Sequence, residues 1–86
     1  MIAEATALRK IRLKDARASL GLSQKELARL AGLHYHVIGN CERGGTIRLV
    51  SAHAILRALN EQRALRKIPQ LTLKSLTWSI EGEEND

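Results

Sequence analysis

Apolar side chains recur every three or four positions through most of the chain, the period of helices that each bury one face. Leu13, Ala16 and Leu20 mark the inner side of a first helix, predicted over Leu8–Ser19 and stopped at Gly21. Leu27, Ala28, Leu30 and Ala31 mark a second, which begins after Ser23 and ends at Gly32. Val37, Ile38 and Cys41 give the inner face of a third, His34–Arg43, closed by Gly44 and Gly45. Ile47 or Leu49 opens the next apolar set. Leu49, Ala52, Ile55, Leu56 and Leu59 predict a fourth helix from about Leu49 to Leu59. Asn60 ends it in a left-handed cap, or it runs on through Arg66. Pro69 forbids further helix and holds Ile68 extended.

The period changes after Pro69. Leu71 and Leu73 alternate, then Leu76, Trp78 and Ile80 alternate on the other parity, which predicts a strand with a bulge near Lys74–Ser75. A lone strand is unstable, and no second strand is evident elsewhere. The expectation is a two-fold antiparallel ribbon with a second subunit, its interface made by Leu71, Leu73, Leu76, Trp78 and Ile80. The rival arrangement lays the strand on its own helical core. Met1–Thr6 reads as a loose arm or a fraying first turn. The chain thus divides into a helical domain at 1–68, a strand at 69–80 and a disordered acidic tail at 81–86.

Local chemistry sharpens the middle of this pattern. Ser23 can accept from the free amides of the second helix while Glu26 reaches back, a capping box. The outward face of the third helix carries His34, Tyr35, His36, Asn40 and Arg43. Such flat, hydrogen-bonding side chains near a helix start suit the edges of base pairs in a major groove. Asn40 can pair with adenine N6 and N7, His36 can donate to guanine N7 or O6, and Tyr35 offers a hydroxyl and a ring for a thymine methyl. His34 lies at the rim, within reach of phosphate, as do Lys25, Thr46, the Gly45 amide and Arg48. Gly39, a poor helix former, marks a close backbone approach, to DNA or to the second helix, or else a site that tolerates it. Cys41 reads as a small core residue rather than a redox sensor.

Charge agrees with a polyanionic partner. The 86 residues carry a net charge of +5, from 14 Lys and Arg against 9 Asp and Glu, and four of the acids fall at Glu81, Glu83, Glu84 and Asp86. The body is therefore strongly basic and the tail acidic. A single cysteine excludes an internal disulfide and suits a reducing cytoplasm. No metal-ligand spacing, cofactor motif or paired acid and base is present, so neither a metal, a cofactor nor an enzymatic activity is expected. No stretch is apolar enough for a signal peptide or a membrane span. RNA binding lacks an aromatic stacking platform, since Tyr35 and Trp78 are the two aromatics.

The stretch from Gly21 to Gly44 fits the frame G-L-S-Q-x-E-L-A-x-x-A-G-x(5)-I-x(3)-E-R-G. In this it resembles the helix-turn-helix of phage Cro and cI repressors, the XRE-like family, over roughly Leu13–Leu59. It departs at Gly39, at Cys41, where a larger aliphatic is usual, and at Asn60, where glycine usually ends the fourth helix. The resemblance implies a mainly α, lambda-repressor-like bundle of four to five helices, here with a C-terminal strand added. It implies a structural ion pair between Arg17 and Glu42 that sets the tilt of the third helix. It implies a phosphate contact for Gln24, and base contacts for Tyr35, His36 and Asn40. Arg43, at the end of the same face, joins the phosphate set.

The function expected is sequence-specific binding of double-stranded DNA by a cytoplasmic homodimer, acting as a repressor or autoregulator on a palindromic operator. The alternative is an antitoxin-type module, which binds both operator and a protein partner through its C-terminal segment.

Overall fold

The computed structural model describes residues 10–81. The N-terminal arm, the Leu8–Arg9 start expected for the first helix and the tail beyond Glu81 lie outside those residues. Among the described residues, five helical segments and two very short strands succeed one another as α1 (Leu13–Ala18), α2 (Gln24–Ala31), α3 (Tyr35–Glu42), β1 (Thr46–Ile47), α4 (Leu49–Leu65), a 3-10 turn (Leu73–Ser75) and β2 (Ser79–Ile80).

Helix α1 starts at Leu13, later than its periodicity predicts. The reason is non-local. Ile11 forms a parallel bridge with Leu76: its amide donates to Ser75 O at 2.8 Å, and its carbonyl accepts from Thr77 N–H at 3.0 Å. A backbone committed on both sides cannot also enter a helix.

Helix α2 is defined by its ends. Glu26 N–H donates to Ser23 Oγ at 3.0 Å and Ser23 N–H to Glu26 Oε1 at 2.8 Å, so both arms of the capping box are closed. Gly32 closes the other end at φ 74°, a left-handed conformation in which a β-carbon is strained. Helix α4 runs 17 residues to Leu65, through Asn60. It ends in a Schellman turn, Ile68 N–H donating to Arg63 O and Lys67 N–H to Ala64 O, with Lys67 at φ 59° where glycine is the usual residue.

Asn60 is therefore no cap. Its side chain exchanges two hydrogen bonds with the backbone of Leu71, Nδ2 donating to the carbonyl at 2.9 Å and Oδ1 accepting from the amide at 2.7 Å. This clamp turns the chain after Pro69 back onto the helices.

The C-terminal segment differs from the continuous strand its alternation predicts. A 3-10 turn stands where a bulge was expected, and β2 pairs within the chain, parallel to β1, with Thr46 opposite Ser79 and Ile47 opposite Ile80. The second strand does exist, but at two residues it is too short to leave a period. Leu71, Leu76 and Ile80 are buried in the chain's own core, and Leu73 and Trp78 are half-buried against it. Trp78 Nε1–H donates to Leu73 O at 2.9 Å. The interface residues expected to face a second subunit thus line the protomer's own interior, wholly or in part.

Leu27, Ile38, Ile55, Leu59 and Leu76 are the large side chains with essentially no exposure, contributed by α2, α3, α4 and the C-terminal segment. Burial of each contributes about 1.5–3 kcal/mol, which helices of six to eight residues need, being unstable alone. Two residues expected inside lie at the surface: Leu30 is 36% exposed and Leu49 44%. Ala58, at 1%, completes the inner stripe of α4.

Candidate nucleic-acid interface

Helix α3 is held from below and displayed above. Its buried residues, Ile38, Gly39 and Cys41, face α2 and the core. Tyr35, His36 and Asn40 are all exposed. So are His34, Lys25, Arg43, Thr46 and Arg48, while Gln24 is half-buried.

The C-terminal end of α3 is fixed by Glu42. Arg17 reaches it with two hydrogen bonds, Nε to Oε2 at 2.6 Å and Nη2 to Oε1 at 3.0 Å. Its third nitrogen, Nη1, donates to Leu22 O at 2.9 Å, in the loop before α2. The side chains are 13% and 6% exposed, so both charges are largely out of water. Gln24 adds a donor, Nε2 to Glu42 Oε1 at 2.9 Å. One carboxylate thereby joins α1, the start of α2 and the end of α3. Burial pushes the Glu42 carboxyl up, but the hydrogen bonds from Arg17 and Gln24, with the charges of Arg17 and Lys14, outweigh it and hold the carboxyl below the ordinary glutamate range. The hydrogen bond to Glu42 correspondingly raises Arg17.

Gln24 was expected at phosphate. One of its two amide hydrogens is spent on Glu42, and the second remains available to an anion. A β-carbon at Gly39 would sit at ordinary contact distance, 3.5 Å, from Gln24 Oε1 and more tightly, at 3.2 Å, against the end of the Arg43 side chain, so a small side chain there needs only a slight shift of Arg43.

At the N-terminal end of α3, His34 acts as the cap. Its Nδ1 accepts from His36 N–H at 3.1 Å, which places its proton on Nε2. The rings of His34, Tyr35 and His36 pack on one another with centroids 4.5–4.8 Å apart. The Lys25 ammonium lies 5.2 Å over the Tyr35 ring, a cation–π contact that ties the α2 start to the α3 start. Spacing alone gave no signal for the capping role of His34 or for the Lys25–Tyr35 contact, because both depend on ring orientation.

Asn40 stands near the other end of the exposed face. Its Nδ2 donates to Thr46 O at 3.3 Å, and its amide lies flat over Gly45, where any β-carbon would overlap it. One Nδ2 hydrogen and Oδ1 remain, the pair that a bidentate contact with adenine uses. Cys41, beneath this face, is buried, and burial with the neighbouring Glu42 charge pushes its thiol up to about 11.

Two helices joined by a tight glycine turn, the second laid across the first with its polar side outward, form a helix-turn-helix. A family model described as Helix-turn-helix matches residues 13–65, more than half of the chain. The protein belongs to the Cro/C1-type helix-turn-helix family, the XRE family, and is a DNA-binding transcription regulator of that type. The family is one of DNA-binding domains, not of enzymes. No curated protein and no solved structure matches the chain significantly. Among the described residues no helix is long and apolar enough to cross a membrane.

Proposed function

We propose that the protein is a sequence-specific repressor or autoregulator that acts in the cytoplasm as a homodimer on a roughly palindromic operator. Two copies place their α3 helices in successive major grooves, about 34 Å apart. Tyr35, His36 and Asn40 read base edges, each good contact contributing about 1–3 kcal/mol of discrimination. Lys25, His34, Arg43, Thr46 and Arg48 meet the phosphates, with the second amide hydrogen of Gln24.

The observation that carries this reading is the division of α3. Its inner face is locked by a shielded ion pair, while its hydrogen-bonding face is left open to solvent. Its N-cap and outer face present two histidines, a tyrosine and an asparagine, side chains able to hydrogen-bond base edges, beside the exposed cations Lys25, Arg43 and Arg48. The antitoxin alternative would have to use the outer side of the C-terminal segment, because Leu71, Leu76 and Ile80 are buried in the chain's own core and Trp78 Nε1–H is bonded to Leu73 O.

Selection of bound fragments from a random duplex pool tests the reading directly. Two-fold symmetric winners with half-sites one helical turn apart are expected, together with sedimentation of the complex as two protein chains per duplex. Enrichment of no sequence at all would remove the specific function.

A further inference from the structure

Glu81 leaves the fold beside the loop after the reading helix. Because β2 runs parallel to β1, the chain emerging from Ile80 heads the same way as the chain that passes from Ile47 into Arg48. Glu81 N–H closes on Ile47 O at 2.8 Å, which sets Glu81 one strand spacing, about 5 Å, from that loop. Arg48 and Glu81 are both exposed. On the other side of Ile47, the Thr46 carbonyl takes the Asn40 amide. The exit point therefore adjoins the C-terminal end of the DNA face.

The chain from that point onward is acidic, with Glu81, Glu83, Glu84 and Asp86. The nearby surface is basic. Among the described residues, neither Arg43 nor Arg48 has a carboxylate partner, whereas Arg12, Arg17 and Arg57 each have one. The five residues beyond Glu81 reach at most about 17 Å. Arg48 follows the Ile47 whose carbonyl Glu81 meets, and Arg43 lines one cleft with Thr77 and Trp78, just before that exit. Carboxylates carried on so short a tether act at an effective concentration on the order of millimolar.

We propose that residues 81–86 dock on Arg43 and Arg48 and compete with duplex phosphates for them. This rests on the DNA reading of the same face. Each exposed ion pair is weak, so the contact is loose and salt-sensitive, and duplex DNA, with one charge per about 1.7 Å of its axis, displaces it. Specific and random duplexes must displace the same segment. The tail therefore lowers both affinities by one common factor and leaves their ratio unchanged.

A nitroxide attached through Asp86→Cys tests the docking without DNA, the buried Cys41 being left unlabelled. The tether keeps the label near that loop whether or not the tail docks, so the readout is the difference. The Arg43–Arg48 amides should broaden several-fold more at about 20 mM salt than at about 500 mM, and equal broadening at both overturns the docking. Broadening seen only between labelled and unlabelled copies in a mixed sample assigns the segment to a second copy and overturns the proposal. In parallel, a chain ended after Glu81, which keeps the bond to Ile47, should bind a selected duplex and a random one about fivefold more tightly at about 50 mM salt, with the gain vanishing at high salt. Unequal gains, or none, overturn the competition. Broadening that does not change with salt, in a protein that binds duplex, overturns the docking alone. Salt-dependent broadening in a protein that binds no duplex overturns the DNA reading and the competition with it.

Discussion

Arg17 meets Glu42 through two nitrogens across 25 residues of sequence, at 2.6 and 3.0 Å, and spends its remaining nitrogen on the Leu22 carbonyl. The guanidinium is therefore satisfied on three sides, and the carboxylate receives a further bond from Gln24. Removing one partner leaves the other charge shielded from water and unpaired, at a cost of about 3 kcal/mol. The pair also carries a pH signature. The Glu42 carboxyl lies below the ordinary glutamate range, so the unfolded chain takes up a proton before the folded one does. The stabilisation is complete above the ordinary glutamate pKa and is lost as the pH falls from there through the depressed value of Glu42. Denaturant unfolding of the protein and of Glu42→Gln should show a gap of about 3 kcal/mol at neutral pH that narrows in acid. A gap that stays constant into acid would show that Glu42 titrates alike in both states.

Asn60 ties the C-terminal segment to α4 by donating to one backbone group of Leu71 and accepting from the other. Asn60→Ala leaves both groups unpaired in a half-buried position, at about 1–3 kcal/mol. The loss should be local. Amide exchange should accelerate at Leu71 and at the bridge and strand bonds of Thr77 and Glu81, while the amides of α2 and α3 keep their protection. Uniform acceleration would mean that the segment and the helices open as one unit.

These two contacts show where local pattern reached and where it stopped. The capping box at Ser23 and Glu26, the left-handed Gly32 and the buried stripe through Ala52, Ile55 and Leu59 are properties of neighbours three or four residues apart. They are readable from sequence because the physics is that short. Arg17 and Glu42 obey no such spacing, and only the family resemblance pointed to them. Ile11 leaves its expected helix for Leu76, and Thr46–Ile47 becomes a strand only because Ser79–Ile80 lies beside it. Asn60 has the composition of a cap, but its role is set by Leu71, 11 residues on. Alternation at Leu71–Ile80 signalled a segment lying on an apolar surface, but not the 3-10 turn at Leu73–Ser75 that breaks the expected strand. It could not say whose surface.

Cys41 offers a test of the core beneath the reading face. Its thiol is buried and pushed up to about 11, by burial first and the Glu42 charge second. Relative to an ordinary thiol, its thiolate fraction at neutral pH falls about a hundredfold, and access is blocked besides. An aromatic disulfide reagent should modify the folded protein at least about a hundredfold more slowly than the denatured chain. Prompt reaction under native conditions would show that the end of α3 opens readily, against the tight hold that Arg17 and Gln24 place on it.

Gly45 and Asn40 make the sharpest test of how the bases are read. The backbone of Gly45 is not in the left-handed region, so a side chain there meets no backbone strain. The atoms nearest to a β-carbon there belong to the Asn40 amide, which it would overlap. Gly45→Ala should therefore push Asn40 off the Thr46 carbonyl, at a modest cost of about 1 kcal/mol in stability. If Asn40 reads a base from its present position, Gly45→Ala and Asn40→Ala should relax preference at the same base pair, by about 1–3 kcal/mol. The double variant should be no worse than Asn40→Ala alone, since both changes remove one contact. Binding to random duplex, and its salt dependence, should change little, whereas Lys25→Ala should flatten that dependence by about one unit of slope. Additive losses across all sequences would instead place Asn40 on the backbone, and base recognition would then fall to Tyr35 and His36.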